Sequence, residues 1–151
     1  MDKASSEVLD GPSRPTESID TALSKAEKRK LFSGHLREPL ATELKNEEIK
    51  FSEDSVQLLK FHGSYQQNHR ELRKTDKVRC WQMMLRLRSP GGRIPAQLFM
   101  ALDELSNRLG DGTLRATTRQ AFQMHGIAKA DLKEVIGTIV RNLGSTLAAC
   151  G

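Results

Sequence analysis

Cysteine is scarce in this chain: its 151 residues include only Cys80 and Cys150. The two lie far apart in sequence, which is neither a disulfide framework nor a metal-ligand spacing. A reduced, cytoplasmic setting is the default that follows. Long apolar runs are also absent, so no segment is suited to span a membrane. The N-terminus begins Met-Asp-Lys-Ala-Ser-Ser-Glu and lacks the apolar stretch of a secretory signal. Acids at positions 2, 7 and 10 argue against an organelle transit peptide. Negative charge is in deficit: 19 Asp and Glu stand against 24 Lys and Arg, a net charge of +5. That fits simple solubility, and it also fits an anionic ligand or partner. Residues 1–24 hold five acids and two bases, so the remainder is more basic than the total suggests.

Residues 1–23 are rich in Ser, Pro, Asp and Glu and are expected to form a disordered tail. Ser24-Lys25-Ala26-Glu27 fits a capping box, and the short helix it opens should stop near Gly34. Residues 24–77 read as an irregular arm with short helices and one extended segment, Val56–Phe61. Asn68–Lys77 reads as an exposed loop.

Residues 78–151 carry clearer periodicity. In Val78–Arg88, the odd positions Arg79, Trp81, Met83, Leu85 and Leu87 are mostly apolar and should face a core. The even positions put Arg86 and Arg88 on the other face. Ser89-Pro90-Gly91-Gly92 is a turn. Leu98, Phe99, Leu102, Leu105 and Leu109 predict a helix over 95–109, stopped by Gly110. Thr113–Gly126 has period two again. Thr113, Arg115, Thr117 and Arg119 share one side, with Leu114, Ala116 and Thr118 on the other. The pattern slips near Gln120. Beyond it, Phe122 and Met124 form an apolar row, Gln123 and His125 a polar one, and Gly126 ends the run. Leu132, Val135, Ile136, Ile139, Val140 and Leu143 predict a second helix over 131–143. Burying these two stripes is worth at most about 1.5–3 kcal/mol per large side chain. The order strand, helix, strand, strand, helix is an α+β, ferredoxin-like half-domain whose last strand is missing.

Both helices should cover one face of the sheet. The other then presents Arg86, Arg88, Arg115, Arg119, Gln123 and His125. Clustered guanidinium groups repel one another unless an anion neutralises them, and their planar fork suits carboxylates. A polycarboxylate ligand is one reading. An RNA-binding module is another, because an open basic sheet face suits nucleic acid. Such modules stack bases on central aromatics, whereas these strands offer Arg, Thr and Gln, and Trp81 falls on the core side. Nucleic acid is therefore not the expected partner.

Three stretches carry a family resemblance. Leu-Arg-Ala-Thr-Thr-Arg-Gln-Ala-Phe-Gln-Met-His-Gly-Ile (114–127) resembles the sirohaem-binding signature of the sulfite and nitrite reductases. Lys60-Phe61-His62-Gly63-Ser64-Tyr65-Gln66-Gln67 and Met84-Leu85-Arg86-Leu87-Arg88-Ser89-Pro90-Gly91-Gly92 agree with it in order and spacing. The likeness is to ferredoxin-dependent sulfite reductases, with nitrite reductase the close sibling. It implies an enzyme that reduces sulfite to sulfide by six electrons at sirohaem, with ferredoxin as donor. It further implies that Arg115, Thr117, Arg119, Gln123 and His125 bind the carboxylate-rimmed cofactor. Arg86 matches an arginine over the iron that grips sulfite. Tyr65, Gln66, Gln67, Arg70 and Arg88 are placed in the same cavity. The family also holds a [4Fe–4S] cluster on four thiolates. Neither Cys80 nor Cys150 matches a ligand position, so no metal ligand is assigned in this chain. The expectation is an N-terminal segment of a longer enzyme, inactive without its C-terminal part and supplying only part of the sirohaem pocket.

Overall fold

The computed structural model describes residues 23–68 and 80–149. The proposed tail, the boundary at 77/78, Arg70, Arg79, Cys150 and most of the Asn68–Lys77 loop lie outside them. The first helix, α1 (Lys25–Phe32), begins on the expected capping box. The Ser24 hydroxyl accepts the Glu27 N–H at 3.3 Å, and the Glu27 carboxylate accepts the Ser24 N–H at 2.8 Å. A single turn, α2 (Leu40–Glu43), follows.

The next element corrects the expectation that Val56–Phe61 is extended: it belongs to a helix, α3 (Glu53–Phe61). A short apolar run fits either state, and here the cap decides. Ser52 accepts the Ser55 N–H at 3.3 Å, and Ser55, Leu58 and Leu59 are buried at helical spacing. The extended segment lies just downstream, as β1 (Ser64–Asn68).

The remaining elements are β2 (Trp81–Arg86), α4 (Ala96–Leu109), β3 (Leu114–Ala116), β4 (Phe122–Ile127) and α5 (Leu132–Arg141). The sheet has the order β1-β2-β4-β3, antiparallel throughout. In a ferredoxin-like unit the last strand pairs with the first. Here β1 from the arm occupies that edge, beside β2. After α5, Ser145 forms only an isolated antiparallel bridge with Arg88, whose N–H donates to the Ser145 carbonyl at 2.8 Å.

Three further expectations change. The strand around Arg86 ends there, two residues earlier than read. The run in β4 does not end at Gly126. It passes through that glycine, at φ 78°, to Ile127, and the pairing register with β2 shifts between Met83 and Leu85. Finally, α5 stops at Arg141, and Leu143, at φ 61°, is 90% exposed rather than part of the buried stripe.

The core lies on one face of the sheet. Met83, Leu85, Met124 and Ile127 meet Leu98, Leu102 and Leu105 of α4 and Leu132, Val135 and Ile139 of α5. Leu58 and Leu59 of α3 join the same cluster, so the arm is packed into the core. Lys129 fastens it from the other side. It is buried, and its ammonium donates to Asn46 Oδ1 at 2.6 Å and to the Glu48 carbonyl at 2.9 Å.

Candidate anion-binding face

Strand alternation and register set the site. Arg86 of β2 stands opposite Gln123 of β4, and Gln123 stands opposite Arg115 of β3. Directly opposed residues share a face, so these three form one row across the sheet, away from the helices. Tyr65 enters the row from β1, with the Arg86 guanidinium 5.7 Å from its ring centroid. His125 follows Gln123 on the same side of β4.

Contacts within the row are specific. With its amide oxygen turned to the guanidinium, Gln123 accepts from Arg86 Nε at 2.7 Å and from Nη2 at 2.8 Å. Arg115 Nη2 lies 3.4 Å from Asp111 Oδ2. Asp111 also accepts from the Thr113 hydroxyl at 2.6 Å and the Thr113 N–H at 3.0 Å. Burial acts first on the Asp111 carboxyl and pushes it up. The two Thr113 bonds, Arg115 and His125 together outweigh it, and the carboxyl titrates below its ordinary range. His125 is held below its ordinary value, first by burial and then by Arg115, against the opposing pull of Asp111. It is thus neutral at pH 7, and its Nε2 is buried with no hydrogen-bond partner.

Arg119 does not join this row. The equivalence of Arg115 and Arg119 assumed an unbroken strand, but β3 ends at Ala116 and the chain turns at Thr117–Gln120. Thr117 closes that turn, with both its N–H and its hydroxyl donating to the Ala121 carbonyl, at 2.9 and 3.0 Å. Arg119 instead donates from Nη1 to the Ala149 carbonyl at 3.1 Å. With Arg88, Pro90 and Ala148 it lines a cavity of about 190 Å³ at the end of the sheet. The expected basic cluster is therefore two groups: Arg86, Arg115, Gln123 and His125 on the sheet face, and Arg88 and Arg119 at its end.

Gln66 is also elsewhere. Alternation in β1 sends it to the core side, opposite in sense to Tyr65 and Gln67. Its amide clasps the backbone of Phe51, accepting the N–H at 2.6 Å and donating to the carbonyl at 3.4 Å. Gln67, opposite Gln82, stays on the side of Tyr65.

Sequence reasoning missed the grip of Gln123 on Arg86 and the place of Asp111 beside Arg115 and His125. The first depends on strand register, which one sequence does not display. The second had a local signal, because Asp-Gly-Thr is an Asx-turn pattern. A cleft of about 440 Å³ elsewhere is lined mostly by apolar surface, including Leu36, Leu40, Leu59 and Ile136, with His35, Arg37, His62 and Lys133 also on its walls. Among the described residues, no group of three His, Cys, Asp or Glu side chains is placed to hold a metal ion. No described helix is long and apolar enough to cross a membrane.

The chain is similar to a known class over the segment that holds the arginine row: its residues 82–141 match the ferredoxin-like half domain of the nitrite and sulfite reductases. Among individual relatives, it is 58% identical over 129 residues to the sulfite reductase [ferredoxin] of Synechococcus elongatus. That alignment covers 85% of this chain and 21% of the relative. It is 44% identical over 135 residues to the sulfite reductase [NADPH] hemoprotein beta-component of Methylobacterium nodulans, covering 86% of this chain and 22% of that protein. The chain thus spans about a fifth of the length of these relatives. The NirA protein of Mycobacterium tuberculosis has the same fold, with a TM-score of 0.66 at 21% identity. That match covers 83% of this chain and 25% of NirA.

Proposed function

We propose that this chain is the N-terminal part of a sulfite reductase that takes electrons from ferredoxin and forms one wall of its sirohaem and anion pocket. The 58% identity to a sulfite reductase [ferredoxin] carries the reading. It favours sulfite over nitrite, and ferredoxin over the NADPH-linked donor named for the more distant relatives.

The residues present fit a carboxylate-rimmed ligand. Arg86 and Arg119 are held by neutral oxygens, so their charge is not cancelled by a carboxylate. His125 offers a buried Nε2 that nothing else satisfies. On this reading Arg115 and Arg119, with Thr117 and His125 beside them, bind the carboxylates of sirohaem. When bound, sirohaem supplies the iron at which sulfite is reduced by six electrons to sulfide. Arg86 binds the sulfite oxyanion and stabilises charge that develops as oxygen leaves as water. Tyr65, Gln67 and Arg88 line the approach. A [4Fe–4S] cluster does not fit this chain, since it needs four thiolates and two cysteines are present.

The test uses the polypeptide extended to the length of its relatives. Arg86→Ala should keep sirohaem absorbance per protein near wild type while lowering sulfite turnover by roughly 10²-fold or more. Arg119→Ala should lower the absorbance ratio itself. The opposite pattern would reverse the two roles, and no change in either would leave the face a solvated surface. Reduced ferredoxin should support turnover where NADPH with a flavoprotein partner does not.

A further inference from the structure

We infer that Gln123 is a positioning residue whose amide oxygen locks the Arg86 guanidinium so that only its terminal edge is free to take an oxyanion. This rests on the proposed contact of Arg86 with sulfite and assigns Gln123 a role other than carboxylate binding. A guanidinium has five N–H donors and two edges suited to a two-oxygen anion. One edge is formed by Nε and Nη2, the other by Nη1 and Nη2. Gln123 occupies the first, at 2.7 and 2.8 Å. Three N–H groups remain: one on Nη1 and one on Nη2 form the terminal edge, and the second on Nη1 points back along the side chain.

The surroundings reinforce the lock. The Tyr65 ring lies 5.7 Å from the guanidinium carbon and restricts its swing. Both anchors come from neighbouring strands of one antiparallel sheet, so the lock is as rigid as the ladder. The holding group is neutral. A carboxylate at position 123 would hold the arginine equally well and cancel the charge that attracts an anion. A glutamine orients the cation and leaves it charged.

The test is NMR of the Arg86 Nε–Hε group in the 151-residue chain, titrated with sulfite. In the wild type this signal should be sharp and slow to exchange, and sulfite should shift it. Gln123→Met keeps the side-chain length but removes the acceptor. It should broaden or average the signal and weaken sulfite by about threefold to tenfold, the cost of ordering one long side chain. Gln123→Glu should restore the sharp signal but not the sulfite affinity. If Gln123→Met fails to fold by circular dichroism, Arg86→Lys gives the same information from the other partner, since the Gln123 side-chain amide signals should then move to solvent-like shifts. An Arg86 signal unchanged in Gln123→Met, or Gln123 signals unchanged in Arg86→Lys, overturns the inference. If Gln123→Met loosens Arg86 while sulfite shifts nothing in the wild type, the lock is real and the sulfite contact proposed for Arg86 is wrong.

Discussion

Replacing Lys129 by Met should detach the arm's loop from the body of the fold. Lys129 is 6% exposed, a rare position for an ammonium without a carboxylate against it. Its donors run to Asn46 Oδ1 at 2.6 Å, the Glu48 carbonyl at 2.9 Å and the Lys50 carbonyl at 3.5 Å. The ammonium also lies 4.7 Å from the Phe51 ring centroid. Methionine keeps most of the stem, so the change removes the charge and its bonds without a large void. The freed acceptors sit on exposed residues and can be rehydrated, which limits the loss. The lost bonds to a charged donor are worth about 1.5–3 kcal/mol, and the ring contact about 0.5–2 kcal/mol. Release from the cost of burying the ammonium offsets part of this. A net loss of about 2–3 kcal/mol follows, or a fall in Tm of roughly 4–10 °C for a chain of this size. The assay is thermal melting with hydrogen exchange of the amides at 46–51, which should speed up more than those of β2. A Tm within about 1 °C of wild type, with unchanged exchange, would show that desolvation cancels the bonds and that the loop is held by Phe51 alone.

Acid should act in two stages. Because the folded state depresses the His125 pKa, the unfolded chain takes up that proton first, and stability declines as pH falls below about 6.5. Asp111 contributes stability above its ordinary value of 3.8, lost on further acidification. Melting curves from pH 8 to pH 3 should show both stages, and His125→Gln should remove the first. A flat profile between pH 8 and 5 in the wild type would contradict this. Gly63→Ala should prevent stable folding or lower Tm by more than roughly 5 °C. At φ 69° a Cβ would meet the Arg86 carbonyl at 2.8 Å and the Thr146 carbonyl; a normal melt would mean that residues 145–149 move aside freely. Glu134→Gln should leave Tm nearly unchanged even though Arg108 Nη2 approaches Glu134 at 2.6 Å, because both side chains are half-exposed. A larger loss in the melt would mark that pair as more than a surface bridge.

What was legible in the sequence follows from how local its cause is. The stripe Leu98, Leu102, Leu105 reads as a buried helix face because its period is set within one element. The Ser24 cap reads for the same reason. Ser64–Asn68, Ser-Tyr-Gln-Gln-Asn, shows no apolar alternation, yet it is a strand because β2 offers it an edge. That cause lies some twenty residues downstream, and no local pattern announces it. Arg119 was misplaced by a related limit. Counting i, i+4 along a strand presumes that the strand continues, and a three-residue β3 does not. The basic character of the site was legible, whereas its division into two groups required the turn at Thr117–Gln120.

That division has a physical logic in how each arginine is held. Away from the site, two arginines are tied to carboxylates, Arg29 to Asp54 at 2.6 Å and Arg108 to Glu134 and Glu104, whereas Arg141 donates to the Thr138 hydroxyl at 2.7 Å. The carboxylate pairs have no net charge to offer a ligand. On β2 and in the turn after β3 the holders are a glutamine amide and a backbone carbonyl, and among the described residues no carboxylate lies within ion-pair distance of Arg86, Arg88 or Arg119. A neutral acceptor removes the rotational freedom of a guanidinium without removing its charge. The entropy of ordering the side chain is then spent on folding, and an anion arriving later meets a cation already in place. Arg115 is the intermediate case, sharing Asp111 at 3.4 Å with the rest of its turn. An anion competing for it must displace a weak, half-exposed contact, which costs little. Ordering without neutralisation is what a preorganised anion site requires.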